Sequence, residues 1–205
     1  MTESNADMLD MTVREFVAAV AADRPTPGGG SVAGVVGMLS AALGQMALNF
    51  TRGKKKYARH AEVHDRIARR LLTTGTLFQQ LTDDDAEAFG FYQQAGDDEE
   101  AQLALSVAIN VPREMTKLSL AMMDDLQELA SKCNPWLLSD LMGAAALAAT
   151  TVRLCDHCVA INCGQLADHT SADEIRTAST ADVHRANVLL DAIEHTAAKA
   201  MDKRG

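Results

Sequence analysis

Four carboxylates fall within five positions in Thr82-Asp83-Asp84-Asp85-Ala86-Glu87-Ala88-Phe89. On a helix they repel one another, so the fold gains nothing from holding all of them there. Asp85 stands four residues from both Leu81 and Phe89, which turns it inward with them. A carboxyl drawn inward is desolvated, its pKa rises, and it can keep a proton near neutral pH. Those are the requirements of a general acid or base. The competing reading of the segment is a solvated acidic face. A carboxylate-bridged metal centre would need the Glu-x-x-His pair of di-iron bundles, and the sequence has none, so no metal is expected.

Two further segments could hold an anion. Pro27-Gly28-Gly29-Gly30-Ser31 enters a helix, where unblocked backbone N–H groups and the positive helix pole favour a carboxylate, a phosphate or a developing negative charge. The alternative is a tight turn that needs positive φ. Glycine spacing and the lack of a preceding strand exclude a P-loop or a dinucleotide fingerprint. Gly53-Lys54-Lys55-Lys56-Tyr57 follows a helix end, where lysines complement the negative pole or hold an anionic substrate tail. Cys155-Asp156-His157-Cys158 has redox or zinc spacing, but it lies mid-helix among alanines without a second ligand pair, and reads as buried structural cysteine. His60, His64, His169, His184 and His195 read as surface residues.

The elements that must position these residues are helices. The chain of 205 residues has 35 alanines, ten methionines and only eight aromatics, which supplies helix formers and withholds the β-branched and aromatic runs of sheets. Six main helices are expected, over about 11–23, 31–52, 58–95, 97–132, 135–168 and 172 onward. Thr12 is a possible cap of the first and Ser31 of the second. The third should bury Ile67, Leu71 or Leu72, Phe78, Leu81, Phe89 and Tyr92. Pro112 should kink or split the fourth, and the sixth should carry Val183, Val188, Leu189 and Ile193 before fraying at 203–205. No repeat or linker divides the chain, so residues 1–205 read as one all-α domain with its core at about 10–200.

Positions 32–50 hold nineteen consecutive uncharged residues. Three glycines, Ser40, Gln45 and Asn49 dilute their hydrophobicity, and small residues recur every four positions (Ala33, Gly37, Ala41). This fits a central helix approached closely by another, within a bundle or across a two-fold axis, rather than a membrane span. A net charge of −9 argues against nucleic acid. Four cysteines are too few for a disulfide framework in a chain this long. The polar start lacks a signal-peptide core, and a reducing cytoplasm is expected.

Together these segments resemble the cyclodeaminase/cyclohydrolase family, which comprises the C-terminal domain of formiminotransferase-cyclodeaminase and free-standing bacterial methenyltetrahydrofolate cyclohydrolases. The matching residues are Phe16-Val17, Thr26 to Ala33, Asn49 to Tyr57, Asp85-Ala86-Glu87-Ala88-Phe89, Val111-Pro112, Ser139-Asp140-Leu141 and Ile161-Asn162, spread over about residues 10–170. The resemblance implies an all-helical homodimer that binds a tetrahydrofolate derivative and needs no metal or redox cofactor. It implies that Asp85 serves the chemistry and that Pro27–Ser31 and Lys54–Tyr57 belong to the folate site. Ser139, Asp140 and Asn162 fall on family positions as further binding candidates. The implied reaction is closure of 5-formiminotetrahydrofolate to the 5,10-methenyl form with loss of ammonia; the alternative is hydrolysis of the methenyl form to 10-formyltetrahydrofolate. No formiminotransferase domain is seen on this chain, which lifts the second. A third reading is a non-catalytic helical interaction protein on the same scaffold. Two departures stand out: the Phe89–Pro112 connection is shorter than usual, and Cys158-Val159 replaces the familiar Asn-Val.

Overall fold

A computed structural model describes residues 8–202. Six α-helices, α1 (Val13–Val20), α2 (Gly29–Asn49), α3 (Ala61–Gln94), α4 (Asp98–Ala130), α5 (Leu138–Cys163) and α6 (His169–Asp202), account for most of them, with 3₁₀ turns at Met8–Asp10, Lys55–His60 and Pro135–Leu137. There is no strand among the described residues. The fray expected at 203–205 lies outside them.

α2 is the axis of the molecule. Small residues on one flank let α3 come close: a Cβ on Gly34 would lie 2.0 Å from Thr82 Oγ1, and one on Gly37 would lie 2.5 Å from the Phe78 ring. Because α2 positions rise as α3 positions fall, the two helices are antiparallel. The small-residue ridge is thus consumed inside the chain. Its second flank meets α5, where Ser40 Oγ donates to Ala144 O at 2.7 Å and Thr151 Oγ1 to Ala33 O at 3.5 Å. Phe78, Ile67, Leu71, Met122, Met123, Leu126, Leu141 and Ile193 fill the shared core. The third flank of α2 stays open, with Leu39 and Phe50 each 55% exposed and Met46 beside them.

Several local expectations are corrected. Thr12 does cap α1, in a capping box with Glu15. Ser31, however, lies inside α2, whose N-cap is Gly28. Gly28, Gly29 and Gly30 do not have positive φ; Gly53 does, at +74°. On α3, Leu72 and Tyr92 are exposed and Leu81 and Phe89 only half-buried, while Thr82 and Ala88 are buried. Thr82 tolerates this because its hydroxyl donates to Phe78 O at 2.6 Å. His64 is buried against the carbonyl of Lys132 at 3.1 Å, not on the surface. α4 is not split at Pro112, which lies inside it, α5 ends at Cys163, five residues early, and Val188 is exposed.

Candidate active site

Asp85 rises from α3 toward the first turn of α2. That turn has no side-chain cap of its own, and four backbone N–H groups at a helix start need acceptors. Asp85 supplies one from across the bundle: its carboxylate accepts the Ser31 hydroxyl at 3.1 Å and the Ser31 backbone N–H. The approach is close enough that a Cβ on Gly30 would sit 1.9 Å from Asp85 Oδ1. Only glycine permits it.

Two influences on this carboxyl oppose each other. Burial disfavours the charged form and raises its pKa; the Ser31 hydrogen bonds favour the charged form and lower it. Burial wins, and the Asp85 carboxyl is held above the usual aspartate value. Asp84 and Glu87, by contrast, point to solvent. The cluster of four acids is therefore split: Asp85 is drawn in to the α2 start, Asp84 and Glu87 face water, and Asp83 is half-buried.

Cys158 closes the α5 side of the same turn. A Cβ on Gly29 would lie 3.5 Å from its sulfur. Cys155 is buried as expected, and Cys133 and Cys163 are buried too, but Cys158, expected to be buried, is only half-buried. Burial first, and the Asp85 charge second, push its thiol up to about 11. Sequence spacing alone missed this neighbour; the signal was its place in the motif ahead of Ile161-Asn162. Pro27, joined to Thr26 by a cis peptide bond, borders a cavity of about 600 Å³ together with Arg24, Asp83, Glu87 and Gly90. Asn162 stands at the same end, where its amide donates to Ala108 O at 3.1 Å and ties α5 to α4.

The lysines lie elsewhere. Lys54, Lys55 and Lys56 are exposed at the other end of α2 and open a 3₁₀ turn there rather than closing a helix. Tyr57 donates its hydroxyl to Asn134 Oδ1 at 3.4 Å. Thr51 anchors this end, donating to Ala47 O at 2.8 Å and accepting the Asn134 N–H at 2.9 Å. Ser139, exposed, and Asp140, half-buried, start α5 beside them. At 1.5 Å per residue, the nineteen residues from Gly30 to Asn49 separate the two groups by about 28 Å. One chain does not bring them together.

Among the described residues, no group of three His, Cys, Asp or Glu side chains is placed to hold a metal ion. Fold and site together define an all-helical protein organised around a desolvated carboxyl at a glycine-rich helix start. The chain belongs to the formiminotransferase-cyclodeaminase family, whose model matches residues 12–181. It is 33% identical over 178 residues to a methenyltetrahydrofolate cyclohydrolase of Methylorubrum extorquens, covering 80% of this chain and 84% of that protein. It is 30% identical over 203 residues to the formimidoyltransferase-cyclodeaminase of Rattus norvegicus, covering 93% of this chain but only 36% of that longer protein. The crystal structure of a formiminotetrahydrofolate cyclodeaminase from Thermotoga maritima superposes with a TM-score of 0.83 at 28% identity, over 95% of this chain and 98% of that one.

Proposed function

We propose that this chain closes 5-formiminotetrahydrofolate to 5,10-methenyltetrahydrofolate with release of ammonia. The observation that carries the reading is the raised Asp85 carboxyl at the Gly30–Ser31 turn. When N10 attacks the formimino carbon, the departing nitrogen must leave as an amine and needs a proton. A carboxyl whose pKa burial has raised is the group placed to supply it, and the carboxylate left behind stabilises the methenyl cation. One nitrogen replaces another on a carbon of unchanged oxidation state, so the balance calls for no redox cofactor. Hydrolysis of the methenyl ring is the second reading, favoured by the match over 84% of the Methylorubrum cyclohydrolase. There Asp85 would act as its conjugate base on water. Turnover followed at the methenyl absorbance band separates the two: appearance from formiminotetrahydrofolate supports the first, loss from the methenyl form without ammonia the second.

We further propose that two copies complete the site. Leu39, Met46 and Phe50 make an uncharged open face along α2, and packing on it about a two-fold axis perpendicular to α2 sets the two helices antiparallel. The Lys54–Lys56 cluster of one copy then reaches the Asp85 end of the other and can hold the glutamate carboxylates of folate. Mixing Asp85→Asn chains with chains carrying Lys54, Lys55 and Lys56→Ala should restore turnover at low substrate, since one intact site forms in each mixed dimer. No restoration, or a monomer in sedimentation equilibrium at micromolar concentration, would refute this arrangement. α2 and the segment Pro135–Cys163 are long and apolar enough to cross a membrane, but about half of each is buried in the bundle, and we read them as core helices. Four free thiols fit a reducing cytoplasm, and a net charge of −9 gives nucleic acid no footing.

A further inference from the structure

We propose that Cys158 is a specificity-determining residue of this site: its half-exposed thiol forms the α5 wall that the bound one-carbon folate touches, and capping the thiol closes the site. The inference rests on the folate reading above, and three observations support it. The sulfur packs on the backbone of Gly29, one residue from the glycine on which Asp85 rests. Of the four cysteines, it is the one not buried, so a molecule seated over the α2 start meets this thiol and no other. One turn further along α5, Ile161 is 71% exposed on the same face and extends the wall outward as an apolar strip.

A thiol suits that position. It is a weak hydrogen-bond donor and acceptor, so it neither competes for the polar groups of the substrate nor draws water toward Asp85. Its proton stays on at neutral pH, because burial and the neighbouring carboxyl both oppose the thiolate. The thiol therefore stands beside Asp85 as a neutral group. Serine or asparagine there would add a strong hydrogen-bonding group beside the acid and move its titration.

The test uses N-ethylmaleimide on the whole protein at pH 8, with occupancy at each cysteine read by mass spectrometry and turnover read in parallel. The sulfur adds to one alkene carbon of the maleimide, and the proton that the thiol gives up ends on the other, with no oxidant involved. Cys158 should label first, turnover should fall in step with its occupancy, and saturating methenyltetrahydrofolate should slow both at least tenfold. Cys158→Ala should raise KM by about tenfold with a smaller change in kcat, and its remaining turnover should resist maleimide. Cys158→Ser should shift the pH profile of kcat, which loss of packing alone would not do. Full occupancy of Cys158 with turnover intact, or labelling indifferent to the folate, would overturn the inference and leave the cyclodeaminase reading standing. Absence of turnover and of folate protection in the unmodified protein would overturn both.

Discussion

Replacing Gly30 with alanine changes no catalytic group, yet it should disable the site. On helix propensity alone the substitution should stabilise α2, by up to about 1 kcal/mol. The new Cβ, however, would lie 1.9 Å from Asp85 Oδ1, 2.4 Å from Cγ and 2.6 Å from Oδ2. Real Cβ atoms do not approach below 3.0 Å, so the carboxyl or the helix start must move by about 1 Å or more. Either movement stretches the hydrogen bonds by which Ser31 holds the acid. A displacement of about 1 Å in a reacting group costs on the order of 10²-fold in rate, and crowding a packed contact costs about 1–3 kcal/mol. Turnover at the methenyl band should thus fall about a hundredfold, and the urea midpoint should fall rather than rise. Gly75→Ala is the matched control: it sits on α3 with nothing nearer than 4.0 Å, and should keep activity with equal or higher stability. A Gly30→Ala protein with near wild-type turnover and a raised midpoint would refute the close approach of Asp85 to α2.

Asp85→Asn should lower turnover about 10²- to 10⁴-fold while the fold survives; Asp84→Asn, on an exposed residue, should have a much smaller effect in the same assay. Lys54, Lys55 and Lys56 to Ala should raise KM and leave kcat largely intact. The raised Asp85 carboxyl means that the folded state holds its proton more tightly than the unfolded chain does. Its contribution to stability is therefore present below the unfolded value of about 3.8 and lost as pH rises through the folded one. Urea midpoints of wild type should accordingly fall relative to those of Asp85→Asn as pH rises from about 3.8 through the folded value. Phe78→Ala should cost about 3–5 kcal/mol in the same titration, because the ring is fully buried against Gly37.

The helical class was legible because alanine-rich, aromatic-poor composition leaves a sheet little to build with, and the first helix start was legible because Thr12 and Glu15 satisfy each other locally. Asp85 could be turned inward from its i±4 apolar neighbours alone. What the residue string hid depends on contacts between distant segments. Ser31 has the composition of a cap, but its hydroxyl is taken by an acid fifty-four residues away. The small residues of α2 announced a close helix neighbour without saying which; that neighbour is α3, and the open face lies on another flank. His64 carries a polar ring and reads as exposed until the Lys132 carbonyl satisfies it. The two groups of candidate residues looked like one site because a sequence does not register the 28 Å of helix between them.

The most direct measurement is turnover of 5-formiminotetrahydrofolate followed at the methenyl absorbance band, with ammonia counted in the same sample, for wild type and Asp85→Asn. Wild type should form methenyl product and ammonia in equal amounts, and Asp85→Asn should bind the folate in calorimetry while turning it over at least a hundredfold more slowly. Methenyl formation at equal rates in both proteins would contradict the role assigned to Asp85. Failure of the wild type to bind folate at all would leave a helical scaffold without the enzyme.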